Sequence, residues 1–216
     1  MNEQQPQHNS GHEQPGNEAN PEREVHRETE PTPTPRIYVA CLSAYNNGYL
    51  HGVWLDAARD ADDIHTDIQA MLATSPMHRP DQGEIAEEFA IHDYDEFGPV
   101  QIHEYDSISL VARIARGVAE HGYAFAAWAD VHESDPELFD HFETAFLGRY
   151  DSLQDYADQL IDDLGYQSEL DKHVPANLRP YVRIDTEALA RDLYLEGDIN
   201  AYETGDGGVW LFDERA

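Results

Sequence analysis

The chain has 216 residues, enough for one to three small domains with cores of their own. Its 44 acids stand against 13 bases, a formal net charge of −31, and only one base is a lysine, Lys172. That balance argues against nucleic acid as a partner, because phosphate binding needs clustered Lys and Arg. It points to a basic partner or to extreme solubility.

The single Cys41 excludes an intramolecular disulfide framework and a cysteine-based zinc site. No apolar run approaches the roughly 20 residues of a membrane span. The N-terminus lacks the basic-then-apolar order of a signal peptide. The expectation is a cytoplasmic protein without membrane contact.

Residues 1–36 hold half of the 12 prolines and only Met1 and Val25 as sizeable apolar side chains. Such a segment cannot bury enough apolar surface to offset its ordering entropy, so it reads as a disordered tail. From Ile37 the pattern changes. "IYVACLS" and "GYLHGVWLD" are β-rich runs joined by "AYNNG", with Asn47-Gly48 as turn chemistry. "DADDIHTDIQAMLA" places Ile64, Ile68, Met71 and Leu72 at helical spacing, and "EEFAIHDYD" reads as another strand. Residues 37–106 thus form an N-terminal domain of small antiparallel sheet plus helix.

Residues 107–148 read as an all-helical middle domain. "SISLVARIARGVAEHG" carries an apolar stripe of Leu110, Val111, Ile114 and Val118, and "YAFAAWADV" suits a short buried helix. "DPELFDHFETAFL" predicts a third helix, capped by Asp135, with Pro136 at its first position and Leu138, Phe142 and Phe146 on one face. Residues 149–216 form an α+β C-terminal domain: a helix over "YDSLQDYADQLIDDLGY", the helix "DTEALARDLYLEG", and a hairpin of "DINAYET" and "GVWLF" around "GDGG". The fold class is α+β.

The stretch Tyr150–Tyr166 poses a physical question. Leu153, Tyr156, Ala157, Leu160, Ile161 and Leu164 recur at the spacing of a buried helix face. Ser152 can cap the start, with Asp155 three residues on, and Gly165 suits the left-handed C-terminal position. Away from that face, Asp151, Asp155, Asp158 and Asp162 share one stripe, with neighbours about 5–6 Å apart and Asp163 beside it. The row repels itself, and Asp162 and Asp163 also oppose the helix macrodipole. A solvated acidic face is the plain explanation for one isolated helix. Here the acidity recurs: nine acids and no base lie between Asp81 and Asp106, and thirteen acids with Arg149 as the one base lie between Asp130 and Asp171. Residues 37–216 carry 37 acids and 10 bases, a net −27. That equals the phosphate charge of roughly 13 base pairs, and a dimer's would equal about 27.

Catalytic and metal chemistry find no matching motif. His92, His103 and His132 lie near Asp93, Glu104 and Glu133, but their spacing matches no zinc motif and no calcium loop occurs. "HDYDE" lies on an expected strand that sends its side chains to two faces. Nucleophile-elbow, phosphate-loop and dinucleotide fingerprints are missing. Tyr150 and Tyr156 suit core or rim positions. The expectation is a non-enzyme without cofactor or metal.

Several segments in order resemble the ArdA family of antirestriction proteins: "YVACLSAYNNGYLHGVWLD" (38–56), "EEFAIHDYD" (87–95), "HEYDSI" (103–108), "YDSLQDYADQLIDDLG" (150–165) and "VPANLRPYVRIDTEALARDLYLEG" (174–197). The resemblance implies an elongated three-domain protein that dimerises through its C-terminal domain and mimics bent B-form DNA. It implies binding in the DNA groove of type I restriction-modification enzymes, at their methyltransferase core. It also implies that Asp151, Asp155, Asp158, Asp162 and Asp163 act as phosphate-mimicking acids. Glu133, Asp135, Glu137, Asp140 and Glu143 complete the candidate set. The tail of residues 1–36 departs from the family pattern. Two other readings stand beside this one: an acidic module sequestering another basic DNA-binding protein, and a salt-adapted acidic protein of different function.

Overall fold

The computed structural model of the chain describes residues 32–216. The tail expected over residues 1–36 lies outside the described residues up to 31. Its last residues are structured: the Thr34 amide and hydroxyl both donate to the Glu96 carboxylate, and Arg36 opens the first strand.

The fold is α+β. Strand β1 (Arg36–Cys41) is central in a three-stranded antiparallel sheet, between β2 (Gly52–Asp56) and β3 (Phe89–Asp95). Ile37, Val39 and Cys41 alternate along β1 and are fully buried, which fixes its register against a one-residue slip. The connection from β1 to β2 begins with a short helix, α1 (Leu42–Asn46), and β2 covers only the last part of "GYLHGVWLD". Helix α2 (Ala61–Ala73) buries Ile64, Ile68, Met71 and Leu72, the residues its periodicity marks.

Helix α3 (Ile108–His121) starts at Ser107, whose hydroxyl oxygen accepts from the Leu110 amide, and buries Val111, Ile114 and Val118. Helix α4 (Tyr123–Val131) buries its whole central run from Ala124 to Ala129. The two helices meet closely at Gly117, where an added Cβ would lie 2.2 Å from Phe125 Cε1.

The single helix expected over "DPELFDHFETAFL" is absent. Asp135 does cap, accepting from the Glu137 amide, and Pro136 does lead. The chain then makes a 3-10 helix (Pro136–His141), a single turn α5 (Phe142–Ala145) and strand β4 (Phe146–Tyr150). The 3-10 repeat of about three residues puts Phe139 and Phe142 on one face. Both are buried, and their rings meet Phe125 at 5.4 and 5.3 Å between centroids. Leu138 gives its carbonyl to the Trp128 indole N–H at 2.9 Å. Phe146 leaves the helical path to pair with Phe212.

Helix α6 (Leu153–Asp163) is followed by α7 (Tyr166–His173), which has no buried residue and no counterpart in the sequence reading. Helix α8 (Thr186–Leu195) is capped by Asp185 and packs against α6. Strands β5 (Ile199–Glu203) and β6 (Val209–Asp213) form the expected hairpin, and β6 is the centre of the second antiparallel sheet, between β4 and β5. One buried cluster runs from Ile37 to Phe212. Phe212 carries it into the second sheet, with ring contacts to Trp128, Phe142 and Phe146. Among the described residues, no helix is long and apolar enough to cross a membrane.

Candidate functional site

Helix α6 owes its start to a side-chain cap by Ser152. The Ser152 hydroxyl oxygen accepts from the Asp155 amide at 3.1 Å, while the hydroxyl donates to Asp155 Oδ2 at 2.7 Å. Its end turns at Gly165, whose φ of 64° is left-handed, a conformation that suits a residue without Cβ. Ala157 and Ile161 are buried, and Leu153, Tyr156 and Leu160 are half-buried. Leu164, expected on this face, is instead 53% exposed, because the helix ends at Asp163 and the chain turns away. Tyr150 and Tyr156 meet edge to face at 5.2 Å beneath the helix. Burial first, then the charge of Asp163, pushes the Tyr150 phenol up.

The opposite face is carboxylate. Asp151, Asp155, Asp158, Asp162 and Asp163 are all exposed. Among the described residues, none of the five lies in an ion pair. Asp163 accepts only from its own helix, from the Gln159 amide group at 3.3 Å. The bases are engaged elsewhere. Of eleven described Lys and Arg residues, nine form ion pairs with acids off this stripe. The other two, Arg179 and Arg183, donate to backbone carbonyls. Among the described residues, then, no base pairs with the stripe, and like charges spaced about 5–6 Å apart on a helix reinforce one another.

The second candidate group sits apart in sequence, around the 3-10 helix. Glu133, Asp135, Glu137, Asp140 and Glu143 are all exposed. Asp140 departs from the rest, since Arg113 Nη2 donates to it at 2.7 Å. Asp135 uses its carboxylate as a helix cap. Glu133 takes a left-handed backbone at φ 51°.

The cleft bearing Arg113, Arg116 and His121 has both arginines in ion pairs, with Asp140 and Asp60. His92 approaches Glu104 only to 3.9 Å. Among the described residues, no three His, Cys, Asp or Glu side chains are arranged to hold a metal ion.

Sequence spacing marks the α6 stripe but not what keeps it uncompensated. Asp206, 57 residues beyond Arg149, accepts from its guanidinium at 2.6 Å and holds the one base of the acidic stretch on the β5–β6 turn.

No curated protein matches the chain. The family model described as "Antirestriction protein (ArdA)" matches residues 37–206, from the start of the first sheet into the final hairpin. That span covers most of the sequence and contains α6 with its whole acidic stripe, and the chain therefore belongs to the ArdA family of antirestriction proteins.

Proposed function

We propose that the chain inhibits type I restriction-modification enzymes by occupying the DNA-binding groove of their methyltransferase core as a mimic of the duplex backbone. One observation carries the reading: the acids of α6 are exposed, regularly spaced and without counter-charge among the described residues. From Asp155 through Asp158 and Asp162 to Asp163 the helix makes eight residue steps, roughly 12 Å of helix axis. That is one carboxylate per about 4 Å, against one phosphate per ~3.4 Å along one DNA strand.

Carboxylates so placed would pair with the lysines and arginines that otherwise meet phosphate. Asp151 and the group Glu133, Asp135, Glu137 and Glu143 would extend the field; Asp140 would contribute less, because Arg113 already neutralises it. Phosphate contacts position a protein on DNA without reading its sequence. A backbone mimic should therefore act on enzymes of differing target sequence. The protein acts without catalysis or cofactor, in the cytoplasm, and as a homodimer through its C-terminal region. The expected boundary between residues 148 and 149 falls inside β4, which pairs with β6, so the domain division in this reading runs at 37–106, 107–145 and 146–216.

The test is phage plating on a type I restricting host. Expression of the chain should restore plating toward the level of a non-restricting host, and unchanged restriction with the protein present would sink the proposal. A protein that only sequestered some other basic partner would leave restriction intact.

A further inference from the structure

An open, shallow depression of about 350 Å³ with mixed apolar and acidic lining lies on elements other than α6. Leu42, Phe89 and Tyr105 line it together with Glu87 and Glu88. The backbone around it is pinned. The Leu42 amide donates to the Glu88 carbonyl at 3.0 Å, and the Ile91 amide donates to the Glu104 carbonyl at 3.0 Å. The Asp106 carboxylate accepts from the His103 amide at 2.8 Å, closing the turn that carries Tyr105. The backbone that carries these side chains is thus held by its own hydrogen bonds, and Tyr105 is 74% exposed.

Glu87 and Glu88 are exposed and have no basic side chain within ion-pairing distance among the described residues. A purely apolar occupant would leave these carboxylates without a partner, and an anion would be repelled. The side chain that fits has an apolar stem and a flat cationic head. A guanidinium stacks on an aromatic face and binds carboxylates with a planar fork, whereas the lysine ammonium is a compact, strongly hydrated charge.

We propose that this cleft receives one arginine side chain of a basic protein partner. The stem lies against Leu42 and Phe89, and the guanidinium packs on Tyr105 and pairs with Glu87 or Glu88. This rests on the reading of the partner as a basic DNA-binding channel, and it adds a contact that duplex phosphate cannot make. The acids of α6 imitate DNA; the cleft grips a residue of the channel by its hydrocarbon as well as its charge. Its share of the affinity should therefore survive salt better than that of the α6 acids.

The test has two arms. In the first, the full chain is titrated with N-acetyl-arginine amide and, separately, with N-acetyl-lysine amide, and backbone amide shifts are followed by NMR. Saturable shifts centred on Leu42, Glu88, Phe89 and Tyr105 are expected with the arginine compound. They should be weaker with lysine and lost in Tyr105→Ala, a change at an exposed side chain. In the second, Tyr105→Ala should weaken binding to a type I methyltransferase core about fivefold without changing the salt dependence. Unsaturable shifts spread over the acidic surface, or equal shifts in Tyr105→Ala, would overturn the cleft. Saturable shifts from a chain that fails to bind the core would support the cleft and refute the functional reading. Binding of the core with Tyr105→Ala unaffected in both arms would do the reverse.

Discussion

Arg149 Nη2 donates to Asp206 Oδ2 across 2.6 Å, joining β4 to the β5–β6 turn. The turn is built to receive it: Thr204 donates its hydroxyl to Asp206 Oδ1 and accepts from the Gly208 amide at 2.7 Å. Arg149 is the one base between Asp130 and Asp171, a stretch that holds the α6 stripe. The pair thus steadies the hairpin and spends that base on Asp206.

The carboxyl of Asp206 lies well below the usual carboxylate range, held there first by the Arg149 hydrogen bond and then by Thr204. A depressed folded pKa means stability that is fully present above the unfolded value of ~3.9 and lost as pH falls through the folded one. Asp206→Asn should therefore be less stable than the parent at pH 7. The gap should narrow steadily once pH drops below about 4. Thermal midpoints of both proteins across that range check it, and a gap constant down to pH 3 would contradict the linkage.

Asp162 and Asp163 lie at the C-terminal end of α6, where the helix dipole disfavours negative charge. Asp162→Asn and Asp163→Asn should each raise the thermal midpoint by roughly a degree or two. The same changes should weaken inhibition of a type I enzyme in a purified assay. Opposite signs for stability and inhibition are the mark of charge kept for a partner. A loss of both together would assign these acids to the fold instead.

Gly117 sits mid-helix in α3, where alanine would ordinarily add about 1 kcal/mol by helix propensity. Here the new Cβ would lie 2.2 Å from Phe125 Cε1, and the Phe125 ring is buried against Phe139 and Phe142. Gly117→Ala should destabilise by about 1–3 kcal/mol through overpacking. Urea denaturation gives the sign directly, and a stabilised variant would show that the α3–α4 contact yields.

Much of this architecture is legible in the sequence because it is local. The spacing of Ile64, Ile68, Met71 and Leu72, the stripe of Val111, Ile114 and Val118, and the cap Ser152 write α2, α3 and α6 into short windows. What escaped is settled over distance. Phe146 continues an apolar helical pattern, yet it becomes strand because Phe212, 66 residues on, offers a pairing edge and a buried ring. Helix α7 buries nothing and so leaves no apolar period. Gln167 ties it to the following loop, accepting from the Ile184 amide at 3.1 Å. The acidic stripe was equally legible, since charge and spacing are local. Its electrostatic context was not: Arg149 and Arg113 find their carboxylates 57 and 27 residues away.

The most direct measurement is displacement of a labelled DNA duplex from a type I methyltransferase core by the purified chain, followed over a series of salt concentrations. The parent should displace the duplex with an affinity that falls steeply with salt. The variant Asp155→Asn/Asp158→Asn/Asp162→Asn should need markedly more protein and show a shallower salt dependence. A parent that leaves the duplex in place, or a triple variant that matches it at every salt concentration, would contradict the account.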